Sequence, residues 1–211
     1  MTEVCSGSEV LEQVGRRLFL RISTAHIIGA LLAVGSGALT SANIRGQHGF
    51  GPTDLITLVI YLPLSVLLAG WTFARRTKRV TTWMVEERPP TTTEQRSTLG
   101  LPLYLAAGSM LLWIGAAIIW AVLTAATHDA AYTVRVSLSI LLGGLTACGL
   151  TYLLVEWTIR PVTARALAGN VPECVIAPGV RTKLLLSWAV GADVFLLIIG
   201  LSFVGRPADQ P

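Results

Sequence analysis

Apolar positions in this chain come in unbroken runs of about twenty residues, separated by short segments that hold nearly all the charge. Wound as a helix at about 1.5 Å per residue, such a run crosses roughly 30 Å of hydrocarbon. The runs predict five helices, at about 18–41, 54–74, 99–126, 132–159 and 182–204. Pro52-Thr53-Asp54 is suited to start the second helix, and Pro63 within it predicts a kink. Polar segments follow the second and fourth helices, at 75–98 with Pro89-Pro90 and at 160–181 with Pro161, Pro172 and Pro178. Residues 127–131 form a tight turn, 1–17 a short polar segment and 205–211 a tail. The first run has the basic flank and small-residue end of a signal peptide, but it is too long for one and reads as a retained helix.

Charge orients these helices. Of the 16 Lys and Arg residues, Arg45, Arg135 and Arg206 fall on one side and the rest on the side that includes the N-terminus. Positive charge marks the cytoplasmic face, so the N-terminus is expected inside and, after five crossings, the tail outside.

One pattern occurs twice. Leu67-Leu68-Ala69-Gly70-Trp71-Thr72-Phe73-Ala74-Arg75-Arg76-Thr77-Lys78-Arg79 is echoed about 86 positions later by Leu153-Leu154-Val155-Glu156-Trp157-Thr158-Ile159-Arg160-Pro161-Val162-Thr163-Ala164-Arg165. Each copy is an apolar helix emerging into a basic segment, with Trp71 or Trp157 as the interfacial anchor. The offset lays the first helix on the third and the second on the fourth, which predicts a repeated helical hairpin. On that pattern the fifth helix opens a third hairpin whose second member is missing, and the sequence reads as unfinished.

Composition agrees with an all-α integral membrane bundle. The chain has 211 residues, 53% hydrophobic and 13% charged, against roughly 25% charged in ordinary soluble domains. The net charge of +4 sits beside the apolar runs, which argues for a membrane surface and against nucleic acid. Cys5, Cys148 and Cys174 are odd in number and lack metal or redox spacing, so neither a disulfide nor a metal is expected. No phosphate loop, HExxH or Ser/His/Asp set is present, and no cofactor is implied.

Three intramembrane polar residues are candidates for function. Asp193 lies mid-way along the fifth helix, where an unpaired charge costs at least ~2.5–3.5 kcal/mol. It is either a switch or ion relay, or a neutral acid bonded to a neighbouring helix. His26, in the first helix, is either a pH sensor or a satisfied histidine near the inner interface. Glu156 precedes Arg160 by one turn and is expected to pair with it. Arg160-Pro161 is either the start of a signal-transmitting linker or the plain end of a helix. The segment 75–87 is a cytoplasmic extension of the second helix, a strip on anionic lipid, or a solvated helix end. Gly29, Gly35, Gly37 and Gly143-Gly144 permit close helix packing.

The two cytoplasmic junctions carry a resemblance. Ala74 to Arg79 with Glu94-Gln95-Arg96-Ser97-Thr98, Tyr152 to Val162, and Ala177-Pro178-Gly179-Val180 leading to Trp188 resemble the N-terminal membrane region of mycobacterial class III adenylate cyclases. The resemblance spans roughly Leu18 to Leu201. It implies a six-helix anchor followed by a HAMP linker and a catalytic domain, of which this chain would end before the sixth helix. The family's catalytic metal-binding aspartates, adenine-reading pair and Asn-Arg pair have no counterparts here, and Asp193-Val194-Phe195 replaces a Gly-x-Pro.

The expected function is a plasma-membrane anchoring and signal-sensing module, without catalysis of its own. It would act as a homodimer responsive to a lipid or small hydrophobic ligand, with Trp71, Trp157, Arg160 and Pro161 transmitting the signal. The alternatives are a small transporter or channel built on Asp193, or a nonfunctional remnant of a cyclase gene.

Overall fold

The computed structural model describes residues 7–42 and 52–168, together with Trp188 and Ala192, both helical. Residues 43–51 with Arg45, most of the fifth apolar run with Asp193, Cys5, Cys174 and residues 205–211 lie outside the described residues. Four helices make up the described fold: α1 (Gly7–Ala42), α2 (Pro52–Val85), α3 (Thr92–Ala125) and α4 (Ala130–Ala166). Segments Glu12–Ser36, Thr92–Ala125 and Ala130–Ala166 are long and apolar enough to cross a membrane.

The four helices are not equivalent. α4 is central, packing along both α1 and α3, while α2 leans on α3 and touches α1 only slightly. Small residues put α4 there: Gly143, Gly144, Ala147, Cys148, Gly149 and Thr151 form a buried face that lets its neighbours approach. The internal repeat matches α2 to α4, yet α2 sits at the edge. Its Ile56, Val59, Ile60, Leu64 and Leu67 are exposed, an apolar row of the kind that hydrocarbon covers.

The expected spans lie inside longer helices. α1 already includes residues 7–17, which run into the first expected span without a break. α2 runs on to Val85, because Val80, Trp83 and Met84 recur at helical spacing and are buried. The strip on lipid and the solvated end are therefore both replaced by a packed extension. α2 also passes through Pro63 as a continuous helix. α4 continues through Pro161 to Ala166, so the proline does not end it. An interior proline costs ~3 kcal/mol. Burial of Val162 and Ala166 just beyond it offsets that cost.

These extensions build a small core at the basic end of the bundle. Leu18, Val80, Leu101, Val155 and Ile159 form one cluster, and Trp83, Met84, Val162 and Ala166 a second with Val14 against it. All four helices contribute to it.

The turn from α2 to α3 is fastened by polar groups. Glu87, at φ 49, takes the left-handed position after the helix, and the Arg88 N–H reaches back to the Trp83 carbonyl at 3.2 Å. Pro89-Pro90 follow, and Thr91 caps α3. Its hydroxyl accepts from the Glu94 N–H, and the Glu94 carboxylate accepts from the Thr91 N–H. Arg88 then grips Glu94 with two hydrogen bonds, of 2.8 and 2.6 Å, and Glu86 at 2.6 Å.

Candidate functional site

Two places gather the polar chemistry of the described residues. The first is the basic end, where α4 leaves the apolar zone. Arg21 of α1 lies with its guanidinium 4.1 Å above the Trp157 ring and donates to the Thr158 hydroxyl at 2.6 Å. The Thr158 hydroxyl in turn donates to the Leu154 carbonyl. Cation–π contacts at such half-wet positions contribute ~0.5–1 kcal/mol, and here the contact also fixes α1 against α4. Two turns further on, the Gln95 amide of α3 donates to the Ala166 carbonyl at 2.9 Å, at the helix end where carbonyls lack intrahelical partners. Gln95 is buried. The end of α4 is thus held from α1 by Arg21 and from α3 by Gln95, over a floor of α2 side chains.

The expected transmission residues take unequal places around this grip. Trp157 is exposed apart from its Arg21 contact, and Arg160 and Pro161 are exposed on the same helix. The Glu156 carboxylate interacts with Tyr152, one turn back on the same helix. Trp71 carries Arg75 of its own helix at 4.8 Å. The repeat explains this difference. The residue four after Trp71 is Arg75, whereas four after Trp157 comes Pro161, so the cation on Trp157 is supplied by α1. Trp71 and Trp157 stand on helices whose backbones lie apart, and the structure does not bring them together. A cleft between α2 and α3 is lined by Arg76, Val80, Ser97, Gly100, Leu101 and Tyr104, with Arg76 3.9 Å above the Tyr104 ring.

Electrostatics at the fastened turn follow from geometry. The Arg88 guanidinium beside it, helped by the Thr91 groups, holds the Glu94 carboxyl well down, at about 2. The same carboxylates push Arg88 further up.

The second place lies deeper, where α1, α3 and α4 cross. His26 Nε2 is 2.6 Å from the Ser109 hydroxyl, and the Trp113 indole N–H donates to His26 Nδ1 at 3.2 Å. The imidazole and indole planes are nearly parallel, at 8°. A Cβ on Gly144 would stand 2.6 Å from Trp113, and one on Gly29 would stand 2.5 Å from the Gly143 carbonyl. Of the expected packing glycines, these three make the crossing, while a Cβ on Gly35 meets nothing within 4 Å. Both ring nitrogens of His26 are therefore partnered, by Ser109 and Trp113, which the sequence did not single out. Among the described residues, no three His, Cys, Asp or Glu side chains gather as a metal site.

No family model matches the chain, and no solved structure matches it. Its curated relatives include mycobacterial proteins. The chain is similar to uncharacterized protein Rv1319c of Mycobacterium tuberculosis, 33% identical over 130 residues, which are 59% of this chain and 23% of the relative. Uncharacterized protein Rv1318c of the same organism is 28% identical over 142 residues, 67% of this chain and 26% of the relative. Uncharacterized protein Mb1354c of Mycobacterium bovis is 30% identical over 181 residues, 84% of this chain and 31% of the relative. The chain spans less than a third of the length of these relatives.

Proposed function

We propose that this chain is a plasma-membrane sensing and anchoring module, similar to the membrane region of a class III adenylate cyclase. It would lie with its N-terminus inside, cross five times and work as a homodimer. The observation that carries the reading is the gripped end of α4. A helix that runs unbroken through Pro161, held at its basic end by Arg21 and Gln95, delivers a displacement within the bilayer to whatever lies beyond it. An anchor alone has no need of that grip.

Two further observations support the proposal. The relatives are more than three times as long as the matched segment, leaving room in them for an effector. The α2–α3 cleft sets the Arg76 cation beside apolar Val80 and Leu101, which suits the head and first methylenes of an anionic lipid or a small amphiphile. Such a ligand shifts the module only by binding its two states unequally.

The test is a chimera in which this chain replaces the matched part of Rv1319c, expressed in a bacterium without its own cyclase. Cyclic AMP should accumulate, and Gln95→Ala should change its level about fivefold, the effect of one hydrogen bond of ~1 kcal/mol on a two-state equilibrium. An output equal to that of an unrelated anchor, unmoved by Gln95→Ala and Arg21→Ala, contradicts the coupling. Absence of cyclic AMP from intact Rv1319c contradicts the class of effector.

A further inference from the structure

The crossing of α1, α3 and α4 holds a polar chain that the proposed function does not use. An indole N–H can only donate, so the Trp113 contact at 3.2 Å requires a bare lone pair on His26 Nδ1. The one proton of the neutral ring is then on Nε2, aimed at the Ser109 hydroxyl 2.6 Å away. On α4 nearby, the Cys148 thiol donates to the Met110 thioether at 3.9 Å. The indole N–H and the imidazole N–H each meet one acceptor in this run. A single neutral tautomer of His26, with its proton on Nε2, satisfies both contacts in this way.

We infer that His26 is a proton-operated latch on this crossing, closed as the neutral Nε2–H tautomer and opened when Nδ1 takes a proton from the aqueous phase. A proton there sets an N–H against the indole N–H, two donors face to face, and Trp113 has to leave. Trp113 cannot shift without moving α3, because its Cβ and Cγ lie 2.6 Å from where a Cβ on Gly144 would be and its ring edge 3.3 Å from the same position on Gly29. α3 also carries Gln95, so the motion reaches the end of α4.

The surroundings add no competing charge among the described partners. α3 presents Ser109 and Trp113 to the imidazole, and the Cys148 thiol of α4 is turned to Met110. Arg21, further down α1, is turned to Trp157 and Thr158. The latch is a property of these side chains and goes beyond the sensing role, since it operates whatever effector the module serves.

The experiment uses the full chain in lipid vesicles. With His48→Gln and His128→Gln in place, His26 is the one remaining histidine, and nitrogen NMR reads its tautomer. The Nε2–H form is expected at neutral pH. Acidification should convert it to imidazolium in a single-proton step, with a parallel change in the Trp113 fluorescence obtained by subtracting the Trp113→Phe protein. His26→Asn keeps an acceptor for the indole but takes no proton, and should abolish the change. An Nδ1–H tautomer at neutral pH overturns the proposal. So does protonation with Trp113 unmoved, a His26 that stays neutral until the helices unfold, or the same response in a folded His26→Asn. The tautomer measurement decides even where the Asn variant does not fold.

Discussion

Adding one methyl group at the crossing should separate positions that composition treats alike. In Gly29→Ala the new Cβ lies 2.5 Å from the Gly143 carbonyl oxygen and 2.7 Å from the Ala147 Cβ. Ordinary contact begins near 3.4 Å, so α1 must move off α4 by about 0.9 Å. Both obstacles belong to backbone or to a Cβ, and neither can turn aside. Overpacking of this kind costs ~1–3 kcal/mol, offset in part by the ~0.5–1 kcal/mol that alanine gains over glycine inside a helix. The net expectation is a loss of about 1–2 kcal/mol. Gly35→Ala on the same helix meets nothing within 4 Å and should gain ~0.5–1 kcal/mol. Gly108→Ala on α3 is equally open and should gain likewise. Stability would be read by circular dichroism during SDS titration of the protein in mixed micelles. Gly143→Ala should resemble Gly29→Ala, and the double variant should lose less than the sum, because one separation relieves both clashes. If Gly29→Ala is as stable as Gly35→Ala, the crossing is not where the structure puts it.

Two other predictions concern the turn from α2 to α3. Glu87 holds a left-handed backbone at φ 49, which costs a residue with a side chain about 1 kcal/mol, so Glu87→Gly should stabilise the protein by that amount in the same titration. A loss of stability would mean that Glu87 makes a contact worth more than the strain. Glu94, held at about 2 chiefly by its hydrogen bonds from Arg88, lends the turn stability that is complete above the unfolded value near 4.3 and is lost as pH falls through about 2. Carbon NMR of the Glu94 carboxyl should find it ionised at pH 3.5, and protonation in the ordinary range would show that the grip from Arg88 does not hold in solution.

The apolar runs made the helices legible, because run length needs no knowledge of packing. Their ends were not. α2 closes with Glu87 where a glycine is the usual sign, so only Pro89-Pro90 beyond it mark the stop near Val85. The start of α3 was readable: Thr91-Thr92-Thr93-Glu94 has the spacing of a capping box directly after two prolines. The spacing of Val80, Trp83 and Met84 likewise marked a buried stripe inside a segment otherwise polar. Pro161 shows the reverse, a strong local signal overridden by the burial of Val162 and Ala166. The glycines named the crossing in part, but sequence cannot tell Gly29 from Gly35, since the difference lies in what α4 places opposite each. Ser109 and Trp113 looked like ordinary members of an apolar run, and only the approach of α1 makes them partners of His26. The Arg21 contact to Trp157 is also long-range, though the proline four residues after Trp157 hinted that its cation must come from elsewhere.

The proposed function requires helices that cross a bilayer with the fastened turn inside. Cysteine labelling in whole cells tests this most directly. With Cys5 and Cys174 changed to Ser and the buried Cys148 left in place, Glu86→Cys marks the α2–α3 turn and Ala126→Cys the α3–α4 turn. A membrane-impermeant maleimide should label Ala126→Cys in intact cells and Glu86→Cys only after the membrane is opened. Labelling of both in intact cells, or the reverse pattern, would contradict the membrane module and its orientation.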